Sequence, residues 1–271
     1  MDSVDPQRAC DCHVHVYEDG YALAPSATFR PPHAPASAYR DLQQRLGFGR
    51  AIVVQPTGYG FDNRCTLAAI AALGAGARGV AVVRPEVDAA ELERLNAAGM
   101  RGVRFMMLAG GVLPWQALEP IEACIAPLGW HINLQLDGRD LPHFEARLRA
   151  LPCPLVIDHL GKFLGTLATA ADSVQSLHRL LDSGRCWIKL SAPYESSIEG
   201  PPDYADVAPL AGDLARRHPQ RCLWASNWPH PNVRPQPDEA ALLAWTRARV
   251  GDDRTWQNIL VHNPARLYGF D

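Results

Sequence analysis

The chain has 271 residues, 47% of them hydrophobic and 20% charged, and carries a net charge of −3. Its lysines and arginines are scattered, with no basic stripe of the kind that holds nucleic acid. No apolar run reaches the ~18 residues a membrane helix needs, and the opening Met1-Asp-Ser-Val-Asp-Pro6 is no signal peptide. The expectation is a cytoplasmic protein whose partner is a small molecule, not nucleic acid or membrane.

Short β-type runs alternate with helical patterns from end to end. The strands are read at Arg8–His13, Ala51–Gln55, Gly79–Val83, Gly102–Met106, His131–Leu136, Leu155–Asp158, Cys186–Leu190 and Cys222–Ala225. Most are too apolar to alternate, as parallel strands covered on both faces are. Between them lie periodic segments such as Ala89–Ala98, Leu118–Leu128, Leu141–Leu151 and Ser173–Ser183, and the tail Trp256–Tyr268 has Pro264 placed to start a last helix. Eight strand–helix units over a chain close to the ~250 residues of a (β/α)8 barrel predict that fold as a single domain over residues 1–271. Two Pro-rich pieces, Pro25–Pro35 and Pro229–Pro237, follow the first and last strands and read as loops roofing a site.

The seven cysteines are widely spaced, and only Cys10 and Cys12 are close. That is no zinc or disulfide framework. On a regular first strand they fall out of phase with His13 and His15, so they are expected to face the helices as small buried residues.

Polar residues collect where the strands end, which in such barrels is where chemistry sits. His13 and His15, two apart on one strand, share a face. Asp158-His159 ends the sixth strand, and Leu223-Trp-Ala-Ser-Asn-Trp-Pro-His-Pro-Asn232 carries the eighth strand into Asn227 and His230.

The motifs Asp11-Cys-His-Val-His15, Gly99-Met-Arg-Gly-Val-Arg104, Val156-Ile-Asp-His-Leu-Gly161, Trp224-Ala-Ser-Asn-Trp-Pro-His230 and Asn263-Pro-Ala-Arg-Leu-Tyr268 resemble the amidohydrolase superfamily. The branch they are most similar to contains 2-pyrone-4,6-dicarboxylate lactonase and galactarolactone isomerase. The likeness spans nearly the whole chain. It implies a hydrolase acting on cyclic esters, with His13, His15 and His159 near the lactone carbonyl and Arg104 on a substrate carboxylate, a task that suits a bidentate guanidinium. Thr57 matches a hydroxyl residue that touches substrate, and Gln135 and Lys162 complete the expected binding set.

Departures from the family pattern shape the expected chemistry. Metal-dependent relatives add histidines on strands five and six and an Asp on strand eight. Here Gln135 stands near the end of strand five, His131 lies at that strand's wrong end, and strand eight has Asn227. A neutral amide is a poor zinc ligand, so no metal or other cofactor is expected. The lactonase pattern also has its general-base Asp where Asn227 stands, and an amide cannot accept a proton at ordinary pH. Arginines that would grip a second carboxylate are replaced near Gly110 and by Glu195, which points to a sugar-acid lactone with one free carboxylate. Three readings follow: a lactonase in which His230 serves as base, a lactone isomerase in which a substrate hydroxyl attacks, and a sugar-acid-binding protein without catalysis. The family favours the first and Asn227 the second.

Overall fold

A computed structural model describes residues 4–165 and 170–270. Its strands are β1 Cys10–Val14, β2 Arg50–Val54, β3 Ala77–Ala81, β4 Met100–Met106, β5 His131–Gln135, β6 Leu155–Ile157, β7 Cys186–Ser191 and β8 Cys222–Ala225. All neighbours pair in parallel, in the order β1 to β8. The α-helices are α1 Ala36–Leu46, α2 Arg64–Leu73, α3 Ala89–Ala97, α4 Leu118–Ile125, α5 Leu141–Ala150, α6 Ala171–Asp182, α7 Ala208–Arg217, α8 Glu239–Val250, α9 Asp253–Gln257 and α10 Asn263–Tyr268. The fold is therefore the expected (β/α)8 barrel, and Pro264 does sit in the first turn of α10.

β1 and β8 meet at a seam that backbone bonds close. His15 N donates to Trp228 O at 2.8 Å, and Asn227 N to His13 O at 3.0 Å. Asp11 bolts the seam from the side: its carboxylate accepts from Ser226 N at 2.9 Å, His13 N at 3.3 Å and Tyr39 Oη of α1 at 3.2 Å. Two site residues thus take their backbone position from this closure.

The placement of Cys10 and Cys12 corrects the sequence expectation. Both pack with Ile52, Val54, Val80, Val156, Leu223 and Ala225, which line the inside of the barrel. Asp11 between them reaches out to α1. The cause is a register shift in the β1–β2 ladder between Asp11 and Val14. Such an irregularity resets which face a side chain takes, so inward-facing Cys10 and Cys12 are followed by His13 and His15, which also point in. The large apolar core lies on the other face, where Val53, Phe105, Ile132, Leu134, Ile188 and Trp224 meet the helices.

The barrel floor is filled by His131 and the C-terminal segment. His131 fits only because its ladder partner is Gly102: a Cβ there would come within 2.5 Å of the imidazole. Tyr268 packs on His131 with ring centroids 5.2 Å apart, and Phe270 lies between the guanidiniums of Arg50 and Arg78 at 4.8 and 4.7 Å.

The seam carries a testable consequence. Asp11→Ala should leave two buried backbone N–H groups without an acceptor, at about 1–3 kcal/mol each, whereas Asp11→Asn keeps a carbonyl oxygen for them. Denaturant unfolding should show Asp11→Ala clearly less stable than Asp11→Asn. Equal stability of the two would mean the seam does not depend on this side chain.

Candidate active site

The carboxyl ends of the strands surround one cavity. His15 follows β1, Thr57 follows β2, Arg104 and Met106 belong to β4, and Gln135 ends β5. His159 and Lys162 follow β6, Glu195 follows β7, and Asn227 and His230 follow β8. Phe29 and Pro231–Val233 cover the opening, so both Pro-rich loops roof the site as expected. The first loop is held down by a two-bond bridge between Tyr17 and Ala34. Non-glycine residues with positive φ cluster on this rim: His159 at 51°, Leu160 at 56°, Lys162 at 45°, Ala192 at 45°, Asn227 at 63° and His230 at 54°. Such backbone costs free energy and gathers at functional sites.

Beneath the cavity a lysine organises the polar layer. Lys189 of β7 is fully buried. Its ammonium lies 2.6 Å from Asn133 Oδ1, 2.9 Å from His13 Nδ1 and 2.9 Å from Asp158 Oδ1. Asn133 Nδ2 donates to the other Asp158 oxygen at 2.8 Å. Proton positions follow from these partners. A lysine ammonium only donates, so His13 Nδ1 accepts. The remaining His13 nitrogen, Nε2, then carries the proton and donates to His15 Nε2 at 3.1 Å. His15 Nδ1 donates to Val54 O at 2.8 Å. His13 has no exposed surface; it stands behind His15 instead of on the cavity wall.

His159 differs. Its Nδ1 bonds Ser191 Oγ at 2.9 Å, and a hydroxyl donates or accepts equally well, so this ring can exchange tautomers. Arg104 uses its guanidinium to hold Gln55 O at 3.0 Å and Gln135 Oε1 at 2.8 Å. It forms no ion pair among the described residues. Gln135 is thus a positioner of Arg104 as well as part of the wall. Lys162, expected as a binding residue, is neutralised by Glu195 across the cavity.

At the mouth, Asn227 Nδ2 donates to Tyr194 Oη at 3.0 Å, and Tyr194 Oη lies 2.6 Å from His230 Nδ1. Burial pushes the Tyr194 phenol well above its ordinary value, so it keeps its proton and donates it to His230 Nδ1. His230 Nε2 lies 3.5 Å from Glu239 Oε1. The basic lone pair of His230 is already engaged.

Burial, followed by the Lys189 charge, holds the His13 imidazole well below its ordinary range. His15 is lowered to about 3 by burial and the Arg104 charge. His159 is lowered to about 4 by burial, against the pull of Asp158 and Glu195. Burial alone would raise Asp158, but the Lys189 ammonium overcomes it and holds the carboxyl well below its ordinary range. Glu195 is likewise lowered, through the charge of Lys162.

His13, Asp158 and His159 each place one ligating atom within 4.8 Å of the others. The set nevertheless does not suit a divalent ion. The place beside His13 Nδ1 and Asp158 Oδ1 is held by the Lys189 ammonium, and a second cation there would meet a full positive charge within contact distance.

The amidohydrolase family model matches residues 10–270. The chain belongs to the amidohydrolase family. Within it, the chain is 35% identical to a 2-pyrone-4,6-dicarboxylate hydrolase of Comamonas testosteroni, over 97% of this chain and 90% of that one. It is 34% identical to a D-galactarolactone isomerase of Agrobacterium fabrum, over 97% and 91%. A solved apo structure from Agrobacterium tumefaciens superposes with a TM-score of 0.94 at 33% identity, covering 100% of this chain and 98% of that one. In this amidohydrolase the motifs quoted from the sequence all reach one end of the barrel, apart from the C-terminal one, which closes the floor.

Sequence reasoning missed Lys189, Asn133 and Tyr194. A lone lysine inside the apolar run Cys186-Trp-Ile-Lys-Leu-Ser191 was the available signal, because a charge buried in a barrel strand must be paired. Tyr194 lies in a loop and gave none.

The buried imidazoles predict acid sensitivity. His13, His15, His131 and His159 all have folded-state values pushed down from 6.5, the last three to about 3, 3 and 4. Between about pH 4 and 6.5 the unfolded chain binds more protons at these groups, so stability falls as pH is lowered through that window. Asp11, raised from 3.8 to about 6 by burial, acts in the opposite sense over nearly the same range, one group against four. Thermal melts should show Tm dropping from about pH 7 to about pH 5. A level or rising Tm would contradict neutral imidazoles.

Proposed function

We propose that this amidohydrolase interconverts ring forms of a sugar-acid lactone that bears one free carboxylate, without a required metal. The relatives named as lactone hydrolase and lactone isomerase support a lactone-acting enzyme over a binding protein. The observation that carries isomerisation is the Asn227–Tyr194–His230 chain. Asn227 cannot take a proton, and His230, the fallback base, has its lone pair bound by a phenol. Water on the β8 side of the mouth therefore meets an amide where a general-base carboxylate would stand.

A substrate hydroxyl needs less help, because tethering supplies much of the activation. In this reaction the hydroxyl oxygen bonds to the lactone carbonyl carbon and the original ring C–O bond breaks. The proton of the attacking hydroxyl ends on the departing oxygen, so no acid is released. His159, neutral and free to change tautomer through Ser191 Oγ, relays that proton. Arg104, with no carboxylate partner among the described residues, receives the substrate carboxylate, and its charge near the carbonyl favours the developing oxyanion. The Lys162–Glu195 pair, Thr57 and Gln135 meet hydroxyls. Hydrolysis is the second reading, favoured by the relative named as a hydrolase at 35% identity.

NMR of a lactone panel should show ring interconversion without acid release, unchanged by chelator. Asn227→Asp should add a carboxylate that activates water, raising hydrolytic product by as much as ~10²–10⁴, the span a general base supplies. Rapid acid release by the wild type, unaltered in Asn227→Asp, would sink the isomerase reading. Activity that disappears with a stoichiometric divalent ion would sink the metal-free one.

A further inference from the structure

Lys189 is absent from the cavity wall, yet its position decides where protons sit on residues that form it. His13 Nδ1 lies 3.3 Å from Asp158 Oδ1, and a histidine beside a buried carboxylate ordinarily places its proton on the facing nitrogen. That default creates a conflict here. Nε2 of His13 would become a lone pair, 3.1 Å from Nε2 of His15. His15 cannot yield, since its proton is committed from Nδ1 to Val54 O at 2.8 Å. Two lone pairs would then face each other at 3.1 Å, too close for a water to stand between them.

We propose that Lys189 is a positioning residue for the lactone reaction, its ammonium claiming His13 Nδ1 and Asp158 Oδ1 together so that His13 stays in the Nε2–H form and anchors His15. The lysine bonds His13 Nδ1 and pairs its charge with Asp158 Oδ1, the two groups that would otherwise share a proton, which removes the reason for His13 to carry one on Nδ1. His15, held at both nitrogens, then forms a fixed, uncharged wall beside Arg104. Substrate charge is read by Arg104 alone, and proton transfer is left to His159. Lys189 thereby performs two tasks of a buried metal, balancing Asp158 and orienting imidazole, while offering no open coordination position.

Without Lys189, the His13 proton moves to Nδ1 and bonds Asp158. The lone-pair clash is relieved in one of two ways: His15 leaves Val54 O, or the pair captures a further proton between its Nε2 atoms. Either displaces the wall or charges it. The catalytic part of this inference rests on the lactone reading, whereas the proton positions do not and are measurable without any substrate.

Long-range ¹⁵N–¹H NMR of histidine-labelled wild-type protein at neutral pH should show His13 protonated on Nε2 and His15 on Nδ1. A wild-type His13 protonated on Nδ1 overturns the proposal at once, whatever the variants do. In Lys189→Met the His13 proton should move to Nδ1 or the ring become imidazolium. The kcat for the lactone should fall on the order of 10²-fold, the cost of a small misplacement, with KM changed much less and a new ionisation appearing between about pH 5 and 8. Combining Lys189→Met with Asp158→Asn supplies the conservative rescue. The amide that Asp158→Asn introduces can donate to His13 Nδ1, returning the Nε2–H signature and part of kcat, and the double variant leaves no unpaired buried charge. A Lys189→Met enzyme with the wild-type His13 signature and unchanged kcat refutes the role. So does a double variant that regains the signature without regaining any rate, provided the wild type turns over a lactone. A wild type with the expected proton positions that turns over no lactone instead refutes the substrate reading.

Discussion

A fully buried lysine ammonium is the constraint on which this barrel's active end depends. Taking such a charge out of water is costly, and it persists only where acceptors surround it. Asn133, Asp158 and His13 meet that demand from β5, the residue just after β6, and β1, so the lysine on β7 ties three strands to the end of a fourth. The carboxylate of Asp158 cancels the charge locally. What reaches the cavity is the neutral imidazoles of His15 and His159, the Lys162–Glu195 pair, and the single guanidinium of Arg104 without an acidic partner among the described residues. A ligand entering this site meets directional hydrogen bonds and one net positive charge.

The loops convert that layer into a binding site. His159 and Lys162 follow β6, and Asn227 and His230 follow β8, all with positive φ. The chain turns sharply there so that side chains lean over the barrel mouth instead of continuing outward. On the β8 side, the backbone bonds to β1 set where Asn227 begins. Tyr194, arriving from the loop after β7, then joins Asn227 to His230. That link matters chemically because it occupies the one imidazole lone pair at the mouth that a hydrolytic mechanism would recruit.

Much of this was legible in the residues. The eight apolar runs and their alternation with helices carried the fold, and the polar groups at strand ends pointed to His15, Arg104, His159, Asn227 and His230, which line one cavity. Cys10 and Cys12 were misread because alternation assumes a regular strand, and the β1 ladder shifts between Asp11 and Val14. Nothing local in the sequence marks that shift. His13 was placed at the substrate because two histidines on one strand share a face, whereas depth along the barrel axis separates them. Lys189 lies inside a strand that otherwise reads as core, and its partners come from three distant segments, so only the assembled barrel shows what it does. His230 looked available as a base for the same reason: its engagement by Tyr194 is a tertiary contact between two loops.

The reaction assigned to the site follows from where protons can and cannot go. His13 and His15 are locked by Lys189 and Val54, His230 is occupied by Tyr194, and the Asn227 amide cannot accept a proton. The remaining adjustable group, His159, suits moving one proton between two oxygens of the same substrate. The most direct measurement is turnover of a sugar-acid lactone in H₂¹⁸O, followed by mass spectrometry of the rearranged ring and any open-chain acid. Acyl transfer within the substrate predicts ring-isomer product without label. Product that carries one ¹⁸O per turnover in its carboxyl group would mean that water attacks the carbonyl, and would contradict the account.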